Sequence, residues 1–241
     1  MDLVIDIGNS FQKTAVFSHD GKMVFLCKNR DLTIPFLEDI CEKFSIKRSI
    51  VSSVSFENKE LDNWLRLHTS SVVLSHESKL PIVLKYSSPE TLGTDRIADA
   101  AGARTIFPDC NVLSIMAGTC LVTDFVNISG EYLGGSIAPG LRMRFGALQH
   151  FTARLPLVEP KRIDFLTGDT TENSILSGVI NGIALEIDGI IEEYSRKFPD
   201  LKVILSGGDA ELLQNYLKKS IFAAQNPILV GLHKILQLNA S

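Results

Sequence analysis

The sequence predicts an α/β protein of two similar lobes, each a mixed sheet flanked by helices, with a cleft between them. Three observations point there. First, one pattern occurs twice, about 110 residues apart: Leu3-Val4-Ile5-Asp6-Ile7-Gly8-Asn9-Ser10 before Ala15–Phe17, and Leu113-Ser114-Ile115-Met116-Ala117-Gly118-Thr119-Cys120 before Leu121–Val126. Each is an apolar run, a glycine with a small polar residue, and a second apolar run, which reads as strand, tight turn, strand. Second, strand-like runs alternate with helical patterns, as in α/β lobes. Third, 241 residues at 45% hydrophobic and 22% charged content form an ordinary globular chain, enough for one large domain or two of usual size.

Taken in order, residues 2–7 and 13–18 read as a hairpin around Gly8-Asn9-Ser10. His19-Asp20-Gly21-Lys22 is a second turn, and Met23–Cys27 a third strand. Ile34, Leu37, Ile40, Cys41 and Phe44 share one helical face, so 33–44 is a helix. Ser49–Val54 is a strand with Ser52 and Ser53 near its carboxyl end; Asn58–Leu67 is a short helix and Ser71–Leu74 a strand. Thr94–Phe107 is a helix lined with Ala98, Ala100, Ala101, Gly102 and Ala103. Pro108-Asp109 ends it and divides the chain into lobes 1–109 and 110–241. A turn at Ser129-Gly130 leads to a strand at Tyr132–Ile137, with breaks at Gly134-Gly135 and Pro139-Gly140. Leu141–Phe151 is a helix, and Pro156–Phe165 is irregular. Thr171–Tyr194 is a long helical pattern interrupted by Gly178, Gly182 and Gly189. Val203–Leu205 is a strand, and after Ser206-Gly207-Gly208-Asp209-Ala210 the stretch Glu211–Lys219 is helical.

Composition excludes several functions. A net charge of −4 offers no electrostatic footprint for nucleic acid or an anionic membrane. Cys27, Cys41, Cys110 and Cys120 are scattered without zinc-site spacing, and the histidines show no ligand spacing. The plain expectation is reduced thiols in the cytoplasm. Asp2 and Asp6 inside the first apolar stretch do not suit a secretory segment, and without a run of 18 apolar residues no membrane span is expected.

The first glycine turn has the parts of a phosphate site. Asp6 can hold magnesium, directly or through water. Gly8 and Asn9 let amide groups face phosphate oxygens, and Lys13 supplies a counter-charge. The same residues also suit a plain hairpin with a turn aspartate and a surface lysine. Gly93-Thr94-Asp95-Arg96 opens the small-residue helix. Thr94 or Asp95 can be a helix cap; alternatively Asp95 is a general base and Arg96 an anion clamp, a pair suited to an alcohol on an acidic substrate. Gly118-Thr119, the 134–140 glycine-rich run and the Gly207-Gly208 corner each fit either ligand approach or packing punctuation.

In this order and spacing, the motifs resemble those of the type III pantothenate kinases, over Asp6 to about Leu232. The resemblance implies the actin/ribonuclease H-like fold of the actin/hexokinase/Hsp70 superfamily. It implies ATP-dependent phosphorylation of the primary alcohol of pantothenate, the first step of coenzyme A synthesis. Asp6, Ile7, Gly8, Asn9, Ser10, Phe11, Gln12 and Lys13 look like the first phosphate motif, with Asp6 handling magnesium, and Gly118-Thr119 looks like the second. Tyr86, Pro89, Gly93, Thr94, Asp95 and Arg96 look like the pantothenate-binding stretch, with Asp95 as catalytic base. Thr171, ahead of Ser174-Ile175 and Gly178, matches a threonine that reaches the neighbouring subunit's substrate, so a homodimer is implied.

At one position the sequence departs from the family. An aspartate associated with a required monovalent cation, potassium or ammonium, usually stands two residues before Gly118; here it is Met116. A thioether is a poor ligand for a hard cation, so weak potassium dependence is expected, with Asp124 a carboxylate nearby in sequence. Two other readings stay open from sequence: a nucleotide-binding regulatory homologue with weak catalysis, and a kinase of the same superfamily for another small alcohol.

Overall fold

The apolar run that opens the chain becomes a central strand, as a segment buried on both faces must. In the computed structural model, which describes residues 1–8, 11–29, 32–54, 58–223 and 226–240, the elements follow in chain order. They are β1 (Asp2–Ile7), β2 (Gln12–Phe17), β3 (Met23–Asn29), α1 (Ile34–Phe44), β4 (Arg48–Ser53), α2 (Lys59–His68), β5 (Ser70–Val73), β6 (Val83–Leu84) and α3 (Thr94–Ile106). Then come β7 (Val112–Ala117), β8 (Cys120–Val126), β9 (Glu131–Pro139), α4 (Leu141–His150), α5 (Thr171–Lys197), β10 (Lys202–Ser206), α6 (Ala210–Leu213), β11 (Phe222–Ala223) and α7 (Pro227–Asn239). The chain forms two units, one of residues 1–108, 130–132 and 226–241, the other of 109–129 and 133–225. The C-terminal helix thus belongs with the first unit, whereas the sequence-based division places it in the second lobe.

In the first unit the sheet runs β3-β2-β1-β4-β5. β1 is antiparallel to β2 and parallel to β4. Alternation along β1 sends Leu3, Ile5 and Ile7 to one face, where they join Val16 and Val51 against Leu37 and Ile40 of α1 and Leu61 and Leu65 of α2. Each such side chain contributes about 1.5–3 kcal/mol on leaving water. The other face carries Asp2, Val4 and Asp6, and there α7 packs on β1 and β4, and α3 on β4.

The small residues of α3 are explained by α7. A Cβ on Gly102 would lie 2.0 Å from the Pro227 carbonyl oxygen, and one on Gly231 would lie 1.9 Å from that of Ala98. The helices therefore cross backbone to backbone, an approach only glycine permits. α7 is also tied by charge. Arg48 donates to both Asp2 oxygens, Nε to Oδ1 at 2.9 Å and Nη2 to Oδ2 at 2.6 Å. His233 of α7 lies 3.1 Å from Asp2 Oδ2 and stacks on Phe17 at 4.2 Å between centroids.

In the second unit the strands run β11-β10-β7-β8-β9. β10 is parallel to β7, and β7 antiparallel to β8. Their core packs on α5 through Leu113, Ile115, Leu121 and Phe125 against Ile175, Ile180, Ile183 and Ile187. α5 is long and apolar enough to cross a membrane by length and composition, but half of its apolar window is buried within the protein, as in a core helix. Gly178, Gly182 and Gly189 do not interrupt it. Nor do Gly134 and Gly135 break β9, which runs through both. Gly135 lies where a Cβ would stand 1.7 Å from the Thr123 carbonyl oxygen, so this glycine marks close strand approach rather than a break. The helix expected over 211–219 is a single turn, α6.

Candidate active site

The register of the first sheet lines up chemistry across one face. Asp6 stands opposite Lys13 on β2 and Ser52 on β4. Lys13 stands opposite Lys28 on β3. Like charges directly opposed destabilise a bare strand pair. Lys28 Nζ is drawn over the Phe11 ring instead, 4.0 Å from its centroid. Asp6 is buried, and the Lys13 ammonium is 4.0 Å from its carboxylate. Burial raises the Asp6 pKa to about 6; Lys13 pulls the other way, and the Asp95 charge adds to the rise. At the turn beyond, the Gly8 amide donates to the Phe11 carbonyl at 3.2 Å. Asn9 and Ser10, part of the expected phosphate motif, lie outside the described residues. Ile7 is core, and Gln12 places a buried Oε1 with no hydrogen-bond partner among the described residues.

The other expected residues of this unit sit at the start of α3. Gly93 is the N-cap position, so the cap residue offers the helix no side-chain acceptor. A Cβ on Gly93 would lie 2.5 Å from Asp95 Oδ1, so any larger residue there would push the carboxylate from this position. Asp95 Oδ1 accepts from the Arg96 amide at 2.9 Å. Burial pushes the Asp95 carboxyl up, against the pull of the Arg96 amide and charge. The Arg96 guanidinium lies 5.9 Å from the centre of the Tyr86 ring. The Thr94 hydroxyl donates to the Ser53 carbonyl at 3.1 Å and accepts from Ser52 Oγ at 3.0 Å. Asp6, Lys13, Thr94, Asp95, Arg96 and Tyr86 therefore belong to one cluster, in which the Asp95 charge acts on Asp6.

In the second unit, three glycine turns meet by their backbones. Gly140 donates to the Thr119 carbonyl at 3.1 Å, and a Cβ there would strike the Gly118 carbonyl oxygen at 2.2 Å. Gly207, at φ +100°, lies against Ala117 in the same manner, and the Asp209 amide donates to the Ala117 carbonyl at 3.0 Å. The motifs at 118–119, 134–140 and 206–210 are thus one corner at the end of β7. Thr171 opens α5 and lines an open apolar hollow of about 680 Å³ with Arg144, Phe151 and Leu155. Arg144 is fixed there by Glu186 at 2.6 Å and the Pro139 carbonyl at 2.8 Å. Met116 faces Val122 and Ser206 in register, while Asp124 is buried opposite Ser114, two residues further along β8.

Sequence reasoning missed Lys28, Arg144 and the Ser52–Thr94 bond. The serine pair at the carboxyl end of β4 was a signal for the last, since that end of a strand is where α/β proteins hold ligands. Arg144 carried no motif.

The family model described as type III pantothenate kinase matches residues 2–193. A type III pantothenate kinase of Christiangramia forsetii is 48% identical over 99% of each chain. One from Cytophaga hutchinsonii is 42% identical, covering 99% of this chain and 100% of its own. Among solved structures, a glucokinase from an Antarctic psychrotroph superposes with a TM-score of 0.54 at 10% identity over 98% of each chain, a likeness of fold alone.

Proposed function

The chain belongs to the type III pantothenate kinase family, and we propose that it transfers the γ-phosphoryl group of ATP to the primary alcohol of pantothenate, the first step of coenzyme A synthesis. Relatives at 36–48% identity over nearly the full chain all carry the kinase name, which favours this reading over a regulatory homologue or another alcohol. The observation that carries the mechanism is the Asp6–Asp95 cluster: two carboxyls with raised pKa, one coupled to the other's charge. Pairs of this kind mark functional sites.

Asp95 accepts the hydroxyl proton as the alcohol oxygen forms its bond to the γ-phosphorus and the bond to the bridging oxygen of ADP breaks. Its raised pKa brings it nearer the working range of a general base. Arg96, Tyr86 and Gly93 orient pantothenate, with the guanidinium on its carboxylate. Thr94 shares that stretch. Asp6 fits magnesium: it is a hard oxygen donor whose buried charge is incompletely matched by Lys13 at 4.0 Å. When bound, the metal neutralises phosphate charge. Residues 6–13, with Lys13 as the counter-charge, hold the phosphates, and Thr119 adds a second phosphate contact. Phosphoryl transfer needs chiefly such positioning and charge neutralisation.

Three further parts of the proposal concern assembly and setting. The α4–α5 hollow, lined by Thr171 and the exposed Phe151, supports a homodimer in which Thr171 reaches the partner's substrate. Met116 supports little use of a monovalent cation. Four free cysteines suit the cytoplasm. The test is ADP release by purified protein with ATP, magnesium and pantothenate. Pantothenate-dependent release is expected, and none from folded, ATP-binding protein contradicts the reading.

A further inference from the structure

Ser52 is fully buried and occupies a junction. On one side the β1–β4 register sets it beside Asp6. On the other its hydroxyl donates to Thr94 Oγ1, and Thr94 in turn donates to the Ser53 carbonyl. Thr94 is the first residue of α3 and Asp95 the second. The Thr94 hydroxyl thus gives its one proton, and one lone pair, to β4. The N-cap residue, Gly93, has no side chain to offer, and the hydroxyl pair ties the start of the helix to the strand neighbouring β1. Asp6 and Asp95 are then held in one frame: β1 to β4 through the sheet, β4 to α3 through Ser52 and Thr94.

We propose that Ser52 is a positioning residue for phosphoryl transfer, acting through Thr94 to fix where α3 begins and so how far the Asp95 carboxyl stands from Asp6. This rests on the kinase reading above. A small error in that separation is costly, because a displacement of about 1 Å at a reacting group can lower the rate on the order of 10²-fold. A serine that merely filled space would leave that separation alone.

The test compares wild type with Ser52→Ala, Thr94→Val, the double variant and Thr94→Ser, each checked for folding by circular dichroism and assayed well below its melting temperature. Ser52→Ala and Thr94→Val are expected to lower kcat by about 10–100-fold with the KM for ATP within about twofold. The double variant should be no worse than the poorer single, since both break one chain of bonds. Thr94→Ser, which keeps the hydroxyl, should lose less kcat than Thr94→Val. Ser52→Cys preserves the volume with a weaker donor, so it stands in if Ser52→Ala misfolds, and its kcat should fall between the two. Lower melting temperatures with wild-type kcat would assign Ser52 to packing and overturn the proposal. So would additive losses in the double variant. Wild type without pantothenate-dependent ADP release would instead refute the kinase reading itself.

Discussion

Asp2 and Asp6 lie on the same strand and the same face, 3% and 5% exposed, yet their surroundings treat their charges in opposite ways. Burial disfavours both anions. At Asp2 the fork of Arg48 and the imidazole of His233 more than offset that cost, and the carboxyl falls below its usual range. At Asp6 the only ion-pair partner among the described residues is Lys13, at the 4.0 Å limit of an ion pair, and Asp95 repels. Its pKa rises to about 6. The first site is closed by its own side chains and holds α7 in place. The second is left short of positive charge. One strand thus carries a carboxylate whose charge is stabilised and one whose charge is disfavoured, and the neighbours on β4, β2 and α3 decide which is which.

The largest effect is expected where this contrast meets chemistry. Asp95→Asn should cut turnover by about two to four powers of ten while ATP binding survives, as for a lost general base. Near-normal turnover would remove Asp95 from the reaction. At the structural end, Asp2→Ala strands Arg48 and His233, and unfolding in urea should show a loss of about 3 kcal/mol, the low end for a broken buried pair because Arg48 is partly exposed. Amide exchange should locate that loss first in α7. The wild-type pair carries a matching pH signature: because the folded pKa of Asp2 is depressed, its contribution is present above pH 3.8 and disappears as pH falls through the lower folded value. The smallest effect concerns Met116. Replacing tetramethylammonium by potassium should change turnover by less than about twofold, since a thioether is a poor ligand for a hard cation. A steep rise would point to other oxygens, with Asp124 the first to mutate.

Much of this was legible in the chain. The repeated strand-glycine-strand pattern marks β1–β2 and β7–β8 because apolar runs ending in glycine leave few alternatives. The small residues of α3 announced close packing, but not against what: α7 lies more than 120 residues away in sequence, and periodicity says nothing about partners. For the same reason the membership of 226–241 in the first unit was out of reach. Gly134-Gly135 read as a break, because a glycine pair signals a turn and a close strand crossing equally well. At the site, Asp6 and Asp95 were named from motifs, but their coupling is a property of register and burial. The Asp2–Arg48–His233 cluster carried no motif at all.

The account turns on Asp6 being held at a cost in stability for the sake of its charge. That is tested most directly by urea unfolding of wild type and Asp6→Asn from pH 4 to 8, beside wild-type turnover. A carboxyl whose folded pKa is raised from 3.8 to about 6 binds more protons folded than unfolded, so its penalty grows as pH rises through that window and is full above it. Asp6→Asn should therefore match wild type near pH 4 and exceed it by about 2–3 kcal/mol at pH 8, while wild-type turnover climbs through the same window and the variant stays inactive. Equal stabilities across the range, or a variant less stable than wild type at pH 8, would contradict it.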